Sequence, residues 1–439
     1  MLHFDLFVIG FGKAGKTLAA KMASQGKKVG LAEQDPAMYG GTCINIGCIP
    51  TKTLIRAAEE NQSFSQVMAE KNAVTGRLNK KNYAMLEGAG VTLFDAQVRF
   101  QSNKVLTLTA GDDQQEVTAE IIIINTGAIS NQLPIPGLLE SEHVYDSTGI
   151  QGLSELPQRL GVLGAGPIGL EFASLYNRLG SQVTILDAAE TFLPRSEESL
   201  AQMAKGYLEE DGIQIHLGVQ TQSITNTSDG KVSLDTNAGT FEFDALLYAT
   251  GRKPNTQNLG LENTDIQLTD RGAIQVDAHC QTTVPQVFAV GDVNGGPQFT
   301  YISLDDFRIV YNYLEGDGSY TLDNRKHIPN AIFMQPTLAQ VGLTEAQAQA
   351  ANLPYKAKEM PVAGMPRGHV DGDLRGAFKA IVNTETKEIL GASILSHNAQ
   401  EIINLITMAM DNHIPYTYLA QQIFTHPTLA ENLNDLFNL

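Results

Sequence analysis

Leu6-Phe7-Val8-Ile9-Gly10-Phe11-Gly12-Lys13-Ala14-Gly15 is a short apolar run that breaks into a Gly-x-Gly-x-x-Gly motif. An apolar run bounded by glycine reads as a buried strand. A helix is expected over Lys16–Gln25, then a second strand over Lys28–Ala32 that ends at the acid Glu33. The pattern returns about 150 residues later. Leu160–Leu163 leads into Gly164-Ala165-Gly166-Pro167-Ile168-Gly169, a helix is expected to about Leu179, and a strand over Gln182–Leu186 ends at Asp187. Glu33 lies 23 residues after Gly10, and Asp187 lies 23 after Gly164. A single glycine motif is weak evidence, because ordinary turns also need glycine. Two copies in the same strand–helix–strand–acid context predict two dinucleotide-binding βαβ units.

The residue types suit that task. The first glycine permits the tight turn, the second lets backbone approach a pyrophosphate, and the third lets helix and strand pack closely. The helix N-terminus offers amide donors and a partial positive charge to the phosphates. The closing acid accepts from ribose hydroxyls. Gly10, Gly12, Gly15 and Glu33 are therefore candidate ligands of one nucleotide, and Gly164, Gly166, Gly169 and Asp187 of a second.

Three further apolar strands run into glycine turns: Ile121–Ile124 before Asn125-Thr126-Gly127, Ala245–Tyr248 before Ala249-Thr250-Gly251, and Val287–Val290 before Gly291-Asp292. After about residue 325 the texture changes. Val341–Thr344 and Phe378–Val382 suggest an antiparallel sheet, with helices over Gln400–Asp411 and Ala430–Leu436 packed on it, a third and α+β domain.

Composition narrows the function. A chain of 439 residues exceeds what one core usually supports. A hydrophobic fraction of 43% and a charged fraction of 18% fit a globular protein. The formal net charge of -18 argues against nucleic acid, whose phosphates an acidic surface repels. No apolar run approaches the roughly 20 residues of a membrane helix, and Leu6–Ile9 is short and lacks the basic leader of a signal peptide. Three cysteines do not make a secreted disulfide scaffold, so a cytoplasmic enzyme is expected.

Two of those cysteines stand close together in Gly40-Gly41-Thr42-Cys43-Ile44-Asn45-Ile46-Gly47-Cys48-Ile49-Pro50-Thr51-Lys52, just beyond the first nucleotide motif. A thiol pair beside a bound redox cofactor can hold two electrons as a dithiol. Inert packing is the alternative for any cysteine pair, and the flanking glycines and nucleotide motif weigh against it. No second Cys/His pair completes a zinc site, so no structural metal is expected. A helix is expected from Pro50 onward, and its N-terminus favours a thiolate. Cys280 is isolated and reads as structural.

In combination and order, these segments resemble the class I flavoprotein disulfide reductases, the family of lipoamide dehydrogenase, glutathione reductase and mercuric reductase. The likeness spans the whole chain and includes the tail Phe424-Thr425-His426-Pro427-Thr428-Leu429-Ala430-Glu431, which is similar to that family's acid–base signature. The cysteine segment, Gln298–Asp306 and Glu431–Phe437 resemble most the RclA-type, reactive-chlorine-resistance subgroup, associated with reduction of hypothiocyanous acid and of Cu(II). Many members of the wider family carry a histidine-containing loop near the position of Tyr301, so this departure bears on substrate choice.

The resemblance implies an α/β chain with two Rossmann-like dinucleotide-binding domains and a C-terminal α+β dimerisation domain. It places an FAD-binding domain at 1–147 and 277–325, an NAD(P)H-binding domain at 148–276 and the dimerisation domain at 326–439. It implies that Gly41, Thr42, Lys52, Thr126, Gly127 and Asp292 join Gly10, Gly12, Gly15 and Glu33 around FAD, and that Gly251 joins the NAD(P)H site. Cys48 would face the flavin and Cys43 would be the interchange thiol. Lys52 and Glu171 would form an ion pair beside the flavin ring. His426, paired with Glu431, would be the general acid of the partner subunit's site in an obligate homodimer.

Asp187 suits a free ribose 2′-hydroxyl, and no arginine follows until Arg195, so NADH is favoured over NADPH. Three activities are carried forward. They are reduction of an oxidant such as hypothiocyanous acid, reduction of Cu(II) with Cys43 and Cys48 as transient copper ligands, and a dihydrolipoyl-type disulfide reduction. Mercuric reduction is disfavoured because no C-terminal cysteine pair is present.

Overall fold

The computed structural model describes all residues, Met1–Leu439, and the chain divides into two compact units. The first contains Met1–Gln132, Ser147–Gly152 and Gly251–Arg325; the second contains Leu133–Asp146, Leu153–Thr250 and Lys326–Leu439. Against the boundaries read from sequence, 133–146 groups with the second unit and 251–276 with the first. No helix is long and apolar enough to cross a membrane.

The first unit is built on the strand Leu2–Ile9, which pairs in parallel with Val29–Glu33 on one side and with the end of Asp113–Ile124 on the other. Thr92–Asp95 extends the sheet beyond Val29–Glu33, Val287–Ala289 pairs in parallel with Asp113–Ile124, and the antiparallel strands Gln97–Ser102 and Val105–Ala110 complete it. Both faces are covered, which is why the central strands read as unbroken apolar runs. Phe7, Ile9, Ile122 and Ile124 enter the core on one face, and Leu6, Val8 and Ile123 the core on the other.

Helices α1 (Lys13–Ser24), α2 (Thr42–Asn45), α3 (Cys48–Glu59), α4 (Phe64–Gly88) and α5 (Thr300–Glu315) belong to this unit. The expected first helix begins three residues early, because Gly12 is still extended (φ -64, ψ 171) and Lys13 already helical. The helix expected from Pro50 begins at Cys48. Gly47 has non-helical backbone angles (φ -117, ψ -112) and serves as N-cap, and Pro50 sits in the first turn, where a missing amide hydrogen is harmless.

The second unit repeats the design. Arg159–Leu163, Gln182–Leu186, Gln214–His216, Ala245–Tyr248 and Val144–Tyr145 form a parallel sheet, with helix Pro167–Leu179 leaving the second glycine motif. A three-stranded antiparallel sheet, Thr221–Asn226, Val232–Thr236 and Gly239–Phe243, packs in the same unit. The C-terminal part is an antiparallel sheet of five strands ordered Asn330–Ile332, Thr337–Gly342, Ile389–Ser396, Ala377–Asn383, Tyr355–Pro361. The strand expected at Val341–Thr344 is therefore Thr337–Gly342. Thr344 instead caps the helix Glu345–Ala350 by accepting from the Gln347 amide. Helix Ala399–Asp411 covers this sheet, with Ile402, Ile403, Ile406 and Met410 in its core.

Candidate redox and nucleotide site

The two glycine motifs have matching geometry. Gly10 and Gly164 both lie in the left-handed region (φ 93 and 103). Their amides donate to Ala32 O and Leu186 O, the residues just before the closing acids. The next residue donates to the acid itself: Phe11 N to Glu33 Oε2 at 3.1 Å, and Ala165 N to Asp187 Oδ2 at 2.5 Å. Each acid is thus fixed at the mouth of its own motif. Burial raises the Glu33 carboxyl, and the Phe11 and Asp35 amides oppose that rise.

The first cradle fits a dinucleotide phosphate. At the N-terminus of α1, the Ala14 amide donates to Ser303 Oγ and the Gly15 amide to Asn125 Oδ1. The Gly12 and Lys13 amides have no partner within the chain and remain as donors for an anion. In the second copy the Gly166 and Ile168 amides are left in the same way. A side chain on Gly12 would overlap Asn125 Oδ1 at 2.4 Å, and one on Gly10 the Asn125 carbonyl at 2.6 Å. These residues suit FAD in the first unit and a nicotinamide dinucleotide in the second. The chemistry that FAD would supply is hydride acceptance and two-electron transfer.

Around the first cradle, Thr126 Oγ1 donates to Asn255 O at 2.7 Å and Gly127 O accepts from Asn255 N at 2.9 Å. Gly251 O accepts from Asn131 N, and the strands Ala128–Ser130 and Arg252–Pro254 pair antiparallel. The two threonine–glycine turns are thereby brought together, which places Gly251 in the first unit while Gly164, Gly166, Gly169 and Asp187 lie in the second. Asp292 follows Gly291, whose amide donates to Asp306 Oδ2 at 2.6 Å. Burial raises the Asp292 carboxyl and Arg252 opposes it.

Three contributors to this cradle were not identified from sequence. Asn125 bridges the glycine motif and the Val290 carbonyl, and Ser303 caps α1. Asp306, fully buried, ties α5 to the Gly291 turn and is itself bonded by Arg325. In sequence they are ordinary polar residues, and only their distant partners reveal them.

Cys43 lies in α2 and Cys48 is the first residue of α3. Both are thiols here, Cys43 half-buried and Cys48 exposed, while Cys280 is buried in the core. Cys48 Sγ is 3.3 Å from Thr300 Oγ1, so the first residues of α3 and α5 meet at this sulfur. The pair shares its charge unequally. The hydrogen bond from Cys43, then the Thr300 hydroxyl and the Lys52 charge, push the Cys48 thiol down to about 6, against burial. The same bond, burial and the Cys48 charge push the Cys43 thiol up. Of the two, Cys48 carries the negative charge and Cys43 keeps the proton. Burial raises the Cys280 thiol well above the ordinary range.

Lys52 stands one turn after Cys48 on α3. Glu171 is buried in the second unit on helix Pro167–Leu179, where Oε1 accepts from the Phe333 amide at 3.1 Å. In that unit His426 Nδ1 lies 2.8 Å from Glu431 Oε2, and the other carboxylate oxygen accepts from the Thr428 amide at 3.2 Å. The His426 side chain is 69% exposed against 19% for Glu431, so an oriented imidazole is presented outward. Tyr301, in the first turn of α5, stacks parallel on Phe299 with centroids 5.0 Å apart.

Gly41 packs the cysteine segment directly on the first glycine motif. It has φ +80, and a side chain there would come within 2.9 Å of Gly12 Cα. Gly41→Ala is expected to destabilise the chain by about 1–3 kcal/mol and to lower its flavin content. Gly76→Ala, where a methyl group meets nothing within 4 Å on α4, should be neutral or stabilise by about 0.5–1 kcal/mol. Urea midpoints and flavin absorbance of the two variants check this pair of outcomes.

Residues 4–306 match the family model for pyridine nucleotide-disulphide oxidoreductases, and residues 328–437 match that family's dimerisation domain. The chain is 45% identical over 440 residues to the probable pyridine nucleotide-disulfide oxidoreductase RclA of Escherichia coli, covering 100% of both chains. It is 32% identical to a dihydrolipoyl dehydrogenase of Cupriavidus necator, covering 99% of this chain and 97% of the relative. Its fold superposes with TM-score 0.98 and 45% identity on the Cu(II) complex of the HOCl-induced flavoprotein disulfide reductase RclA from E. coli, covering 100% of this chain and 99% of that one.

Proposed function

Because the chain belongs to the pyridine nucleotide-disulphide oxidoreductase family of flavin-dependent enzymes, we propose that it uses NADH to reduce a small oxidant through a Cys43–Cys48 redox pair, with hypothiocyanous acid as substrate. The observation that carries this reading is the unequal thiol pair at the N-terminus of α3, bonded to Thr300. FAD, when bound, supplies the relay that carries two electrons from NADH to the disulfide. Gly10, Gly12, Gly15, Glu33, Gly41, Thr42, Thr126, Gly127 and Asp292 hold it, and Lys52 adds positive charge beside the ring.

Two electrons and one proton open the Cys43–Cys48 disulfide to one thiol and one thiolate. Negative charge settles on Cys48, and Cys43 must lose its proton to attack. His426 of a second copy of this chain, its tautomer set by Glu431, accepts that proton. Cys43 sulfur then forms a bond to the sulfur of hypothiocyanous acid. The S–O bond breaks, and the departing hydroxide takes the proton from His426 and leaves as water. Cys48 thiolate attacks Cys43 sulfur, restoring the disulfide and expelling thiocyanate. The pair is oxidised by two electrons and the oxidant is reduced by two.

A homodimer is part of this reading. The segment that matches the family's dimerisation domain exposes Met408 (57%), Tyr418 (53%) and Ile423 (91%), and it carries His426. Tyr301 and Phe299, beside Thr300 at the Cys48 thiol, would help set which electrophile reaches the pair. A cytoplasmic setting supplies the NADH.

The Cu(II) complex of the E. coli relative favours a second reading. Thiolates stabilise Cu(I), and one dithiol can reduce two Cu(II) to two Cu(I), closing the disulfide and releasing the remaining proton. A panel of hypothiocyanous acid, Cu(II) and lipoamide, each followed by NADH consumption, ranks the alternatives. Hypothiocyanous acid is expected to give the largest kcat/KM, and a larger value for either of the others would overturn that choice.

The panel repeated with NADPH tests coenzyme choice. Asp187 accepts from the Ala165 and Ala189 amides, and a carboxylate closing the second strand of such a unit suits a free ribose 2′-hydroxyl and repels a 2′-phosphate. NADPH is expected to fall at least roughly tenfold below NADH in kcat/KM, as repulsion of about 1.4 kcal/mol would give; equal or better use of NADPH contradicts the assignment.

A further inference from the structure

Lys16 is a charged side chain that the chemistry above leaves without a task. It follows the last glycine of the first motif, on α1, and is only 5% exposed. Withdrawing an ammonium from water costs several kcal/mol unless its partners offset the loss, so those partners are informative. Lys16 Nζ donates to Gly40 O at 3.0 Å and to Asn82 Oδ1 of α4 at 2.6 Å. Gly40 begins the turn that enters α2, three residues before Cys43.

The neighbouring carbonyls are held as well. Asn79 of α4 donates to Pro36 O at 3.2 Å, Ala37 O at 3.0 Å and Asn45 Oδ1 at 3.2 Å. Asn45 donates in turn to Tyr39 O and Gly41 O, each at 3.0 Å. The whole approach to Cys43 is thus clamped by three polar side chains, of which Lys16 alone is charged.

The titratable groups facing Lys16 are Lys13 on its own helix and Cys43 on α2; α4 presents the neutral Asn82. Burial and then Lys13 push the ammonium down to about 8, while Cys43 holds it up. Reciprocally, Lys16 opposes the rise of the Cys43 thiol. Lys52 acts in the same sense at Cys48.

We infer that Lys16 is a positioning residue for the interchange thiol: it anchors the Gly40 turn that carries Cys43 and sets a buried positive charge at the Cys43 end of the pair, as Lys52 does at the Cys48 end. The inference rests on the reading of Cys43 and Cys48 as a redox pair. Above the pH at which Lys16 deprotonates, the neutral amine no longer favours a Cys43 thiolate.

The test uses the FAD-loaded protein, reduced anaerobically with NADH and alkylated with iodoacetamide across a pH series, with Cys43 and Cys48 quantified by peptide mass spectrometry. Lys16→Met removes the charge. Asn82→Asp leaves the lysine in place and cancels its charge with a neighbouring carboxylate. Both are expected to move the Cys43 alkylation profile upward by about one pH unit, roughly a tenfold loss of rate at neutral pH. A wild-type Cys43 profile in either folded variant overturns the inference, and Asn82→Asp keeps it open to refutation even if Lys16→Met fails to fold. If NADH generates no alkylatable Cys43 and Cys48 in the wild type, the redox reading itself fails.

Discussion

Cys43→Ser is expected to abolish oxidant-dependent NADH consumption, lowering kcat/KM by roughly three orders of magnitude or more, the scale of removing a covalent nucleophile. Serine preserves size and the hydrogen bond to position 48, but its hydroxyl cannot form the sulfur–sulfur bond that accepts the substrate. Hydride transfer from NADH precedes the pair, so anaerobic NADH should still bleach the flavin of this variant. That split separates a lost thiol from a lost cofactor. Cys48→Ser should also stop turnover, but after a single attack, leaving substrate-derived sulfur on Cys43. Stopped-flow bleaching and intact mass after one equivalent of oxidant measure both outcomes. Undiminished turnover in Cys43→Ser would remove Cys43 from the mechanism.

His426→Ala is expected to lower turnover by roughly 10²–10⁴, the range for a positioned general acid–base group, with flavin reduction by NADH retained. Glu431→Gln should fall less, because the amide keeps a contact to Nδ1 but not the carboxylate that fixes the tautomer. The cross-subunit role has its own signature. Mixing Cys43→Ser chains with His426→Ala chains, each inactive alone, allows a heterodimer in which one site has both groups intact. Recovery of activity on subunit exchange is expected. Failure to recover in a mixture shown by mass to contain heterodimers would place His426 outside the partner's site.

Much of the architecture was legible because the deciding residues act locally. Gly10 and Gly164 need a left-handed backbone in any fold, and the acids 23 residues later accept from the turn itself, so two matching units could be read in one dimension. Strands buried on both faces announced themselves as apolar runs at Leu6–Ile9 and Ile121–Ile124. The start of α3 was misplaced at Pro50 because proline marks a first turn but not which residue of it. Gly47 decided that, and with it the position of Cys48 at the helix N-terminus.

The residues that escaped are those whose role depends on distant partners. Asn125 and Gly15 are 110 residues apart, Ser303 and Ala14 are 289 apart, and Lys16 on α1 reaches Gly40 in a turn and Asn82 on α4. Nothing in their own neighbourhoods distinguishes them from ordinary polar residues. The grouping of 251–276 with the first unit has the same origin. It rests on the pairing of Arg252–Pro254 with Ala128–Ser130 and on the contact of Gln97–Ser102 with the segment near Leu261.

The proposed mechanism turns on delivery of two electrons from NADH to Cys43 and Cys48. The most direct measurement is a count of thiols in the air-oxidised, FAD-loaded protein before and after one anaerobic addition of NADH, by alkylation and peptide mass spectrometry. Cys43 and Cys48 are expected to be protected as a disulfide before the addition and both alkylated after it, with Cys280 labelled only on unfolding. Alkylation of Cys43 and Cys48 that NADH leaves unchanged would contradict that mechanism.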